Sequence, residues 1–411
     1  MRRVVVTGVG ALTPMGGDAA SLVEALNRGF SGVRPLDTPW IQSLASPLAA
    51  PVTVPVETRF PKLRRLMLDR VAQLSLLATQ EAITQSGLDF KSDAGLDCGI
   101  FWGTGMGGAT TLEHAYIESL LNHAARPRPS TIVMFMTNSS TGQIGIEHKI
   151  RGPSFTYSSA CSSSAVAIGE AFTAIRSERI RYAVAGGGEA LLTQGVMKAW
   201  ESLQTLARPD PEHPETSCRP FDKHRSGFIL GEGAAALVLE EEASARARGA
   251  NILAELVGYG NSTDAGHITQ PDVGGQSRAM RQALTQAGLQ PGQIQHINAH
   301  GTGTMVGDVI ETQAIKSVFG DWARQIPISA TKALHGHLMG ATGAVEMVVA
   351  LGVLRTRIVP PTAHLLHPDP ECDLDYVPEG AREIPALDVV MSNSFGFGGN
   401  NAVLIARRYQ P

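Results

Sequence analysis

The sequence predicts an α/β protein whose sheets are largely buried. Apolar runs rich in Val, Ile and Ala end in glycine turns, and segments with helical spacing follow them along the whole chain. The 411 residues include 44 glycines, more than the usual share, which indicates many tight turns and close backbone approaches. With 43% hydrophobic and 18% charged residues, the chain suffices for one large domain or two fused halves.

Strands and helices alternate through the first half. RRVVVTGVGAL predicts a buried strand, AASLVEALNRG a helix that ends at Gly29, and LDRVAQLSLLATQEAITQSG a longer helix closed by glycine. CGIFWGTGMGG predicts a strand that runs into a glycine-rich turn. The helix AVAIGEAFTAIRSE follows Cys161, and the strand YAVAGGGEA and a strand–helix pair in GAAALVLEEEASARARG come after it.

The second half restarts in a similar manner. NILAELVGYG, IQHINAHGTGT and the start of IPISATKALHGHLMG predict strands, and SRAMRQALTQAGL, GDVIETQAIKSVFG and GAVEMVVALGVL predict helices. VVMSNSFGFGGNNAVLIAR closes the chain as two strands around a glycine turn. We therefore predict two related units, residues 1–247 and 252–411, in one compact body.

Composition argues against several classes of protein. The formal charge of −4 gives no support for nucleic-acid binding. MRRVVVTGVGALTPMG superficially resembles a signal peptide, but Gly8 and Gly10 interrupt its short apolar run. The chain has no continuous apolar run long enough for a membrane span. The four cysteines form no CxxC pattern, so we expect neither a disulfide framework nor a zinc site, and we expect a cytoplasmic location.

One cysteine stands in SSACSSSAVAIGE, between runs of Ser and Ala and directly ahead of a predicted helix. An unpaired cysteine is a common small core residue, so packing alone can explain Cys161. Alternatively, Cys161 is a nucleophile at a helix N-terminus, where free N–H groups and the helix dipole favour the thiolate. This stretch alone leaves both interpretations open.

Three further glycine-rich segments carry reactive side chains near predicted strand ends. NAHGTGT holds His300, TKALHGHLMGATGAVE holds Lys332, His335, His337 and Glu346, and NSFGFGGNN has glycines that let the backbone approach a ligand. A single histidine is more often a structural hydrogen-bonding group, and many glycine turns are only turns. Neither GTGMGG nor GFGGNN has the strand–GxGxxG–helix order of a dinucleotide site. The histidine spacing is not that of metal ligands, so no metal is expected.

A thiol with two histidines suits a narrower chemistry. A cysteine–histidine pair can accept and release an acyl group. A second histidine adds a hydrogen-bond donor for a developing enolate or oxyanion. The combination suits an enzyme that first forms a thioester and then stabilises a carbanion equivalent.

The ordered series of motifs resembles the β-ketoacyl-acyl-carrier-protein synthases of the elongating type II class. The resemblance runs nearly end to end, from VVVTGVGALTPMG through RGPSFTYSSACSSSA, AGGGEA, RPFDKHRSGFILGEGAAALVLE and ILAELVGYGNSTDAGHITQP to NAHGTGT, ATKALHGHLMGATGAVE and NSFGFGGNN. Each motif is weak alone, but their order and completeness are specific. The resemblance implies a thiolase-like fold, with two similar α/β halves in a five-layered α-β-α-β-α arrangement.

The resemblance also implies a reaction in two stages. Cys161 accepts an acyl group from the phosphopantetheine arm of an acyl carrier protein. Malonyl carrier protein then loses CO₂, and its enolate attacks the Cys161 thioester to extend the chain by two carbons. His300 and His337 correspond to the two histidines that hold the malonyl carbonyl and stabilise the enolate. No cofactor is expected beyond the phosphopantetheine that carries the substrates.

Further roles follow from the same resemblance. The N–H groups of Cys161 and Phe397 correspond to an oxyanion hole, and Lys332 and Glu346 to a buried charged pair that orients the histidines. Thr302 and Thr304 correspond to threonines that hydrogen-bond the pantetheine amides. The remaining substrate-binding positions, in the acyl pocket and the gating loop, are Met106, Trp200, Phe395, Gly398 and Asn400.

The implied partners are an acyl carrier protein and a second subunit. Carrier proteins are acidic, and a cluster of cations is either a solvated face or their docking site: Arg59, Lys62, Arg64, Arg65 and Arg70. The family is normally dimeric, and we expect either a homodimer or a heterodimer with a ketosynthase-like chain. The apolar segment around residues 130–160, which we expect to be rich in strand, is a plausible interface.

The sequence departs from the family pattern at three loop positions. His335 stands where a threonine or another small residue is usual, Met305 where proline is common, and Asn400 where the loop usually reads GFGGTN. These loops surround the acyl and pantetheine channel. We therefore expect a specialised pathway, such as polyene or polyketide assembly, in place of a housekeeping substrate.

Rival interpretations fit less well. A degradative thiolase normally has a second cysteine in the C-terminal glycine-rich loop, and NSFGFGGNN has none. A non-catalytic chain-length factor would have lost the thiol, whereas Cys161, His300 and His337 are all present. A catalytic subunit that needs such a partner stays open, and so does a cysteine hydrolase, although a hydrolase has no need of Thr302 and Thr304.

Overall fold

The computed structural model describes residues 1–122 and 126–411. The strands in this part of the chain are β1 (Val4–Leu12), β2 (Arg34–Pro35), β3 (Leu48–Ala49), β4 (Cys98–Gly103), β5 (Ser154–Tyr157), β6 (Tyr182–Glu189), β7 (Gly233–Glu241), β8 (Ala254–Thr263), β9 (His296–Asn298), β10 (Ile328–Ser329), β11 (Ile358–Val359), β12 (Arg382–Glu383), β13 (Val389–Gly396) and β14 (Asn400–Arg407).

The helices are α1 (Ala19–Asn27), α2 (Lys62–Arg65), α3 (Arg70–Ser86), α4 (Ala109–Tyr116), α5 (Thr131–Phe135), α6 (Ser139–His148), α7 (Ser163–Arg176), α8 (Gln194–Ser202), α9 (Glu242–Ala247), α10 (Val273–Ala287), α11 (Met305–Phe319), α12 (Lys332–His335) and α13 (Thr342–Thr356). A π-helical turn, Ile117–Leu121, extends α4. The strands and helices predicted from the apolar periodicity are present.

One mixed sheet of ten strands runs in the order β10-β9-β13-β14-β8-β1-β7-β6-β4-β5. Its middle is a short antiparallel pairing of β1 with β8, in which Val4–Val6 lie opposite Ala254–Leu256. On either side of that junction the strand order repeats, because β8-β14-β13-β9-β10 matches β1-β7-β6-β4-β5 in sequence order and in direction. The unit boundaries at 1–247 and 252–411 stay a prediction.

Helices pack on the sheet as five layers. Helices α3 and α6 cover the outer face of the first half, and α10, with α11 against it, covers the outer face of the second half. Helices α7 and α13 lie between the halves and touch strands of both. Small residues such as Ala165, Ala167 and Ala344 are fully buried there, which lets the two central helices approach closely. The predicted α/β, five-layered thiolase-like architecture is therefore confirmed.

The segment around residues 130–160 corrects one prediction. It is not rich in strand: α5 and α6 occupy about half of it, and only β5, at the edge of the ten-stranded sheet, is a strand. The segment is nevertheless apolar and exposed, since Ile132, Val133 and Phe155 expose 58%, 53% and 43% of their surface. The sequence prediction failed here because short apolar runs do not distinguish a helix from a strand.

Helix α13 is unusually apolar. Together with the turn before it, the segment Met339–Thr356 is long and apolar enough to cross a membrane, and 89% of it is buried inside the protein. This segment is the central helix between the two halves of the sheet, which explains its composition.

The crossing of α13 and α7 generates a stability prediction. A Cβ on Gly343 would lie 2.8 Å from both the backbone nitrogen and the Cβ of Ala165, and backbone cannot move aside. Gly343→Ala should therefore lower the free energy of unfolding by about 1–3 kcal/mol, measured by chemical denaturation.

Gly142→Ala is the matched control. Gly142 also lies inside a helix, α6, but nothing approaches its Cβ position within 4 Å, so alanine should be neutral or stabilising there. Equal effects of the two substitutions would contradict the close packing of the central helices.

Candidate active site

Three reactive side chains from distant parts of the chain meet at one point. Cys161 lies on the turn between β5 and α7, His300 follows β9, and His337 follows α12. The Cys161 sulfur and a ring nitrogen of each histidine all lie within 4.8 Å of one another. The two imidazole rings are 5.6 Å apart between centroids and nearly perpendicular, at 82°. The structure therefore brings together the thiol and the two histidines that the sequence singled out.

The turn that carries Cys161 is tightly held. Ala160 adopts a left-handed φ of 51°, and the Ser163 hydroxyl accepts from the Ser159 N–H at 2.9 Å and donates to the Ala160 carbonyl at 2.6 Å. A Cβ at Gly396 would lie 2.8 Å from the Ser159 carbonyl oxygen, so only glycine fits beside this turn. The serines around Cys161 thus shape the turn itself.

The surroundings of Cys161 disfavour its thiolate form. Burial raises the pKa of the Cys161 thiol to about 11, although the Lys332 ammonium and the N–H groups of Phe397 and Cys161 oppose the rise. Desolvation of the buried sulfur therefore outweighs the groups that favour the thiolate. The resting nucleophile is a neutral thiol.

The hydrogen bonds of His337 fix its tautomer. The Met339 N–H donates to Nδ1 at 3.2 Å, and the Thr342 hydroxyl lies 2.9 Å from the same nitrogen. Since Nδ1 accepts, the ring proton sits on Nε2. That atom is buried and has no hydrogen-bond partner among the described residues. His337 therefore presents an N–H donor to the space around Cys161.

His300 is held through its backbone. Its N–H donates to Glu311 at 2.8 Å, and its carbonyl accepts from the Lys332 ammonium. Its ring Nδ1 has no partner in the described part of the chain, so no hydrogen bond pins the tautomer. Burial and the nearby Lys332 charge hold the pKa values of His300 and His337 well below the ordinary value, so both rings are neutral.

Lys332 and Glu346 form the predicted buried pair. The Lys332 ammonium lies 2.6 Å from the Glu346 carboxylate, and both side chains are completely buried. Burial raises the pKa of Glu346 above its ordinary value, and the ammonium limits that rise. The pair joins α12 to α13 directly behind the two histidines.

Sequence reasoning missed several groups that hold the site. Glu311 accepts the N–H groups of His300 and Gly301, each at 2.8 Å, and Asp308 accepts the Gly303 N–H at 3.1 Å. Both acids lie on α11, three residues apart. The GD…E spacing directly after NAHGTGT was the available signal. Buried Arg225, which donates to the Thr304 and Met305 carbonyls, had no such signal.

A cavity of about 310 Å³ leads from the surface to Cys161. Thr302 and Thr304 line it, with their hydroxyls 2.9 Å apart. Phe395 also lines it, edge-on to His300 at 6.0 Å between centroids. The thiol thus lies at the inner end of a channel with two hydroxyl groups along its wall.

A second, apolar groove of about 730 Å³ lies beside the channel between α4 and α8. Met106 lines this groove and does not line the channel, whereas Trp200 lines both. Trp200 stacks on Phe397 at 6.0 Å and 26°. The indole and phenyl rings therefore form the partition between the groove and the Cys161 chamber.

The two other predicted loop positions lie behind Phe397. Gly398 has a left-handed φ of 79° and donates its N–H to the Ile268 carbonyl at 2.7 Å. The Asn400 amide donates to the Phe397 carbonyl at 3.2 Å. Neither residue lines the channel, so both shape the loop that carries Phe397.

The departures from the family pattern fall in different places. Met305 lines the channel and is 54% exposed at its mouth. His335 is fully buried and lies outside the channel, where its Nδ1 hydrogen-bonds the Gly336 carbonyl at 2.7 Å and its Nε2 the Thr331 hydroxyl at 2.9 Å. His296, on β9, lies outside the channel and contacts the Ser329 hydroxyl at 2.9 Å.

The same three side chains are a candidate metal group, because a thiol and two imidazoles are ligands that zinc takes. The tautomer of His337 does not fit that role. A nitrogen that carries a proton cannot coordinate, and moving the proton to Nδ1 would break the bond from the Met339 N–H. The arrangement fits hydrogen-bond donation better than metal binding.

Comparisons with known proteins agree with this geometry. Residues 1–245 match the model for the beta-ketoacyl synthase N-terminal domain, and residues 253–366 match that for the C-terminal domain. The chain is 39% identical over 415 residues to 3-oxoacyl-[acyl-carrier-protein] synthase 2 of Staphylococcus aureus (strain COL), covering 100% of this chain and 99% of that protein.

Two solved structures share the whole fold. The ishigamide ketosynthase/chain length factor superposes with a TM-score of 0.91 at 32% identity, and AntDE:AntF, a type II PKS acyl-carrier protein in complex with its ketosynthase, with a TM-score of 0.91 at 28% identity. Both alignments cover 100% of each chain. Taken with the domain matches over both halves, these likenesses show that this chain belongs to the beta-ketoacyl synthase family.

Proposed function

We propose that this protein is an elongating β-ketoacyl-acyl-carrier-protein synthase, a condensing acyltransferase of fatty-acid or polyketide synthesis. The observation that carries the proposal is the meeting of the Cys161 thiol with the ring nitrogens of His300 and His337, within 4.8 Å, at the inner end of a channel. A nucleophile and two neutral hydrogen-bonding rings are what acyl transfer followed by decarboxylative condensation requires.

In the first step, the Cys161 sulfur attacks the thioester carbonyl of an acyl carrier protein. The thiol is neutral, so its proton must leave as the carbon–sulfur bond forms. His300 is the ring that can take this proton, because no hydrogen bond pins its tautomer. The proton then passes to the departing pantetheine thiolate, which leaves acyl-Cys161 and the free carrier protein.

In the second step, malonyl carrier protein occupies the emptied channel, where Thr302 and Thr304 bind the pantetheine amides. The bond to the carboxylate breaks, CO₂ leaves, and its electron pair forms the thioester enolate. The Nε2–H of His337 donates to the enolate oxygen, and His300 in its other tautomer donates beside it. The enolate carbon attacks acyl-Cys161, the bond from that carbonyl carbon to sulfur breaks, and the departing Cys161 thiolate takes up a proton from solvent.

The carbonyl of acyl-Cys161 needs its own donors during this attack. The N–H groups of Phe397 and Cys161 both lower the pKa of the Cys161 thiol, which supports placing them beside the sulfur. We assign them the oxyanion hole. Lys332 and Glu346 act as positioning residues, because Lys332 holds the His300 carbonyl, Glu346 holds Lys332, and neither contacts the reacting atoms.

The apolar groove provides room for the primer chain. An acyl group on Cys161 would pass the Trp200–Phe397 partition and extend along Met106 and the apolar side of α4. The two rings must move apart to admit the acyl chain, and Phe397 belongs to the loop that Gly398 and Asn400 shape. A hydrocarbon chain is favoured there by burial of its methylene groups.

The predicted docking cluster is only partly available. Arg70 donates to buried Glu232 at 2.6 and 2.7 Å, and Arg64 pairs with Glu147, so these two cations already have partners within the chain. Arg59 and Lys62 are exposed and form no ion pair among the described residues, and Leu63 beside them is 81% exposed. We assign this smaller patch to the acidic carrier protein.

The second subunit would cover the exposed edge strand β5 and helices α5 and α4. A bare edge strand with exposed apolar side chains is a pairing site. The partner is a second copy or a ketosynthase-like chain, as in the ketosynthase/chain length factor relative. We place the enzyme in the cytoplasm, and its substrates need no cofactor beyond the carrier's phosphopantetheine.

The condensing activity can be tested directly. The purified chain, given malonyl carrier protein and a panel of acyl carrier proteins, should yield products two carbons longer by mass spectrometry, and Cys161→Ala should abolish them. The preferred primer separates a housekeeping from a specialised role. Acylation of Cys161 without extension would indicate a missing partner chain, and absence of any acylation would contradict the proposal.

The neutral thiol predicts a pH dependence. Because only the thiolate alkylates and the pKa of Cys161 is about 11, alkylation by iodoacetamide should rise about tenfold per pH unit between pH 7 and 9. Mass spectrometry of the Cys161 peptide follows the rate, with Cys161→Ala as the blank. A rate that levels off near pH 7 would show a preformed thiolate–imidazolium pair instead.

The docking patch predicts a charge effect on binding. Lys62→Glu should raise KM for the acyl carrier protein about fivefold at low salt with little change in kcat, and high salt should reduce the difference. Arg28→Glu, the same charge change at an exposed arginine on the end of α1, is the control. Identical KM values for the two variants would remove the patch from the carrier's footprint.

A further inference from the structure

We propose that Glu189 is a positioning residue that ties the turn behind His337 to the wall of the apolar groove. The inference rests on the proposed function, because it assigns Glu189 a part in condensation and in primer selection. Glu189 ends β6, inside AGGGEA, and is fully buried.

Four donors from two loops converge on this one carboxylate. One oxygen accepts from the Thr104 hydroxyl at 3.1 Å and from the Met106 N–H at 3.2 Å. The other oxygen accepts from the Gly105 N–H at 2.6 Å and from the Gly340 N–H at 3.0 Å. Three donors belong to the loop after β4 and one to the turn between His337 and α13.

The contact with Gly340 leads to the histidine. Gly340 lies in the turn Met339–Ala341, and the Met339 N–H is the group that donates to His337 Nδ1. If this turn shifts, the N–H moves away and Nε2 no longer keeps its proton. Glu189 therefore acts on the enolate donor through the position of the Met339 backbone.

The contact with Met106 leads to the primer site. Met106 lines the apolar groove, and its loop is closed by a bond of 3.2 Å from the Gly107 N–H to the Thr104 hydroxyl. The carboxylate thus fixes the groove wall and the histidine turn at one point. The two loops also touch directly, since a Cβ on Gly340 would lie 2.5 Å from the Gly105 nitrogen.

A carboxylate suits this position because it offers two acceptor oxygens. Glu189 forms no ion pair within the described residues, and burial raises its pKa, although the four hydrogen bonds oppose that rise. The four donors need an acceptor in any case, because a buried N–H or O–H group without one is costly. The two oxygens of Glu189 satisfy all four donors and so hold the two loops in one relative position.

Glu189→Leu tests the histidine half of the inference. Enzyme carrying a short acyl group on Cys161 is mixed with malonyl carrier protein, and condensation is followed in a single turnover by mass spectrometry. We expect condensation to fall at least about tenfold, while acylation of Cys161 by the same short primer stays within about threefold of wild type. A merely structural defect would slow both steps together.

Glu240→Leu is the matched control. Glu240 is an equally buried carboxylate, on β7, but its partners are Ser244 and Arg248, far from the loops in question. The Glu240→Leu variant should be less stable, but its acylation and condensation rates should change by the same factor. If folded Glu189→Leu condenses at the same rate as Glu240→Leu, the inference is overturned. If the wild-type enzyme shows no condensation, the proposed function itself is overturned.

Glu189→Gln keeps the test decisive if the leucine variant does not fold. Its single oxygen suits the two N–H groups of Gly105 and Gly340, so its NH₂ faces Thr104 and Met106. We therefore expect near-normal condensation with a short primer and a preference for long over short primers that changes about threefold or more. An unchanged primer preference would remove Met106 from the assignment.

Discussion

The buried ammonium of Lys332 is the interaction on which the site depends. It bridges the Glu346 carboxylate on α13 and the carbonyl of His300 after β9, and the helix that carries it leads directly into His337. A single cation thus joins both histidines to the central layer. Burial of the two imidazoles and, after it, the nearby Lys332 charge keep both rings neutral, so each can donate a ring N–H hydrogen bond.

Neutrality extends to the nucleophile. A thiol with a raised pKa beside neutral rings gives an active site without a resting thiolate–imidazolium pair. Such a site suits a reaction whose charge appears on oxygen, first at the acyl carbonyl and then on the enolate. Fixed N–H groups stabilise charge at those positions and need no reorganisation when it develops. The same neutrality protects the thiol from electrophiles before a substrate arrives.

Buried carboxylates hold the loops around the active site. Glu311 and Asp308 hold the loop of His300 and Thr302, and Glu189 holds the loops of Met106 and Gly340. Each accepts backbone N–H groups from glycine-rich turns that have no regular partners of their own. Glycine lets these turns pass close to a substrate, and the carboxylates restore the rigidity that glycine removes. The glycine-rich turns are therefore held in one conformation despite their flexible residues.

The sequence by itself determined the α/β class, the alternation of elements and the identity of the reactive residues. Apolar periodicity and glycine stops report on local structure, so α3, α7 and α10 were predictable, and ordered motifs identified Cys161, His300, His337 and the Lys332–Glu346 pair. Only the tertiary structure decided the protonation states of the reactive side chains and the partners of the charged ones. The raised pKa of Cys161 comes from burial, the tautomer of His337 from the Met339 N–H, and the engagement of Arg70 from Glu232. These depend on contacts between residues far apart in the chain, which local sequence patterns do not encode.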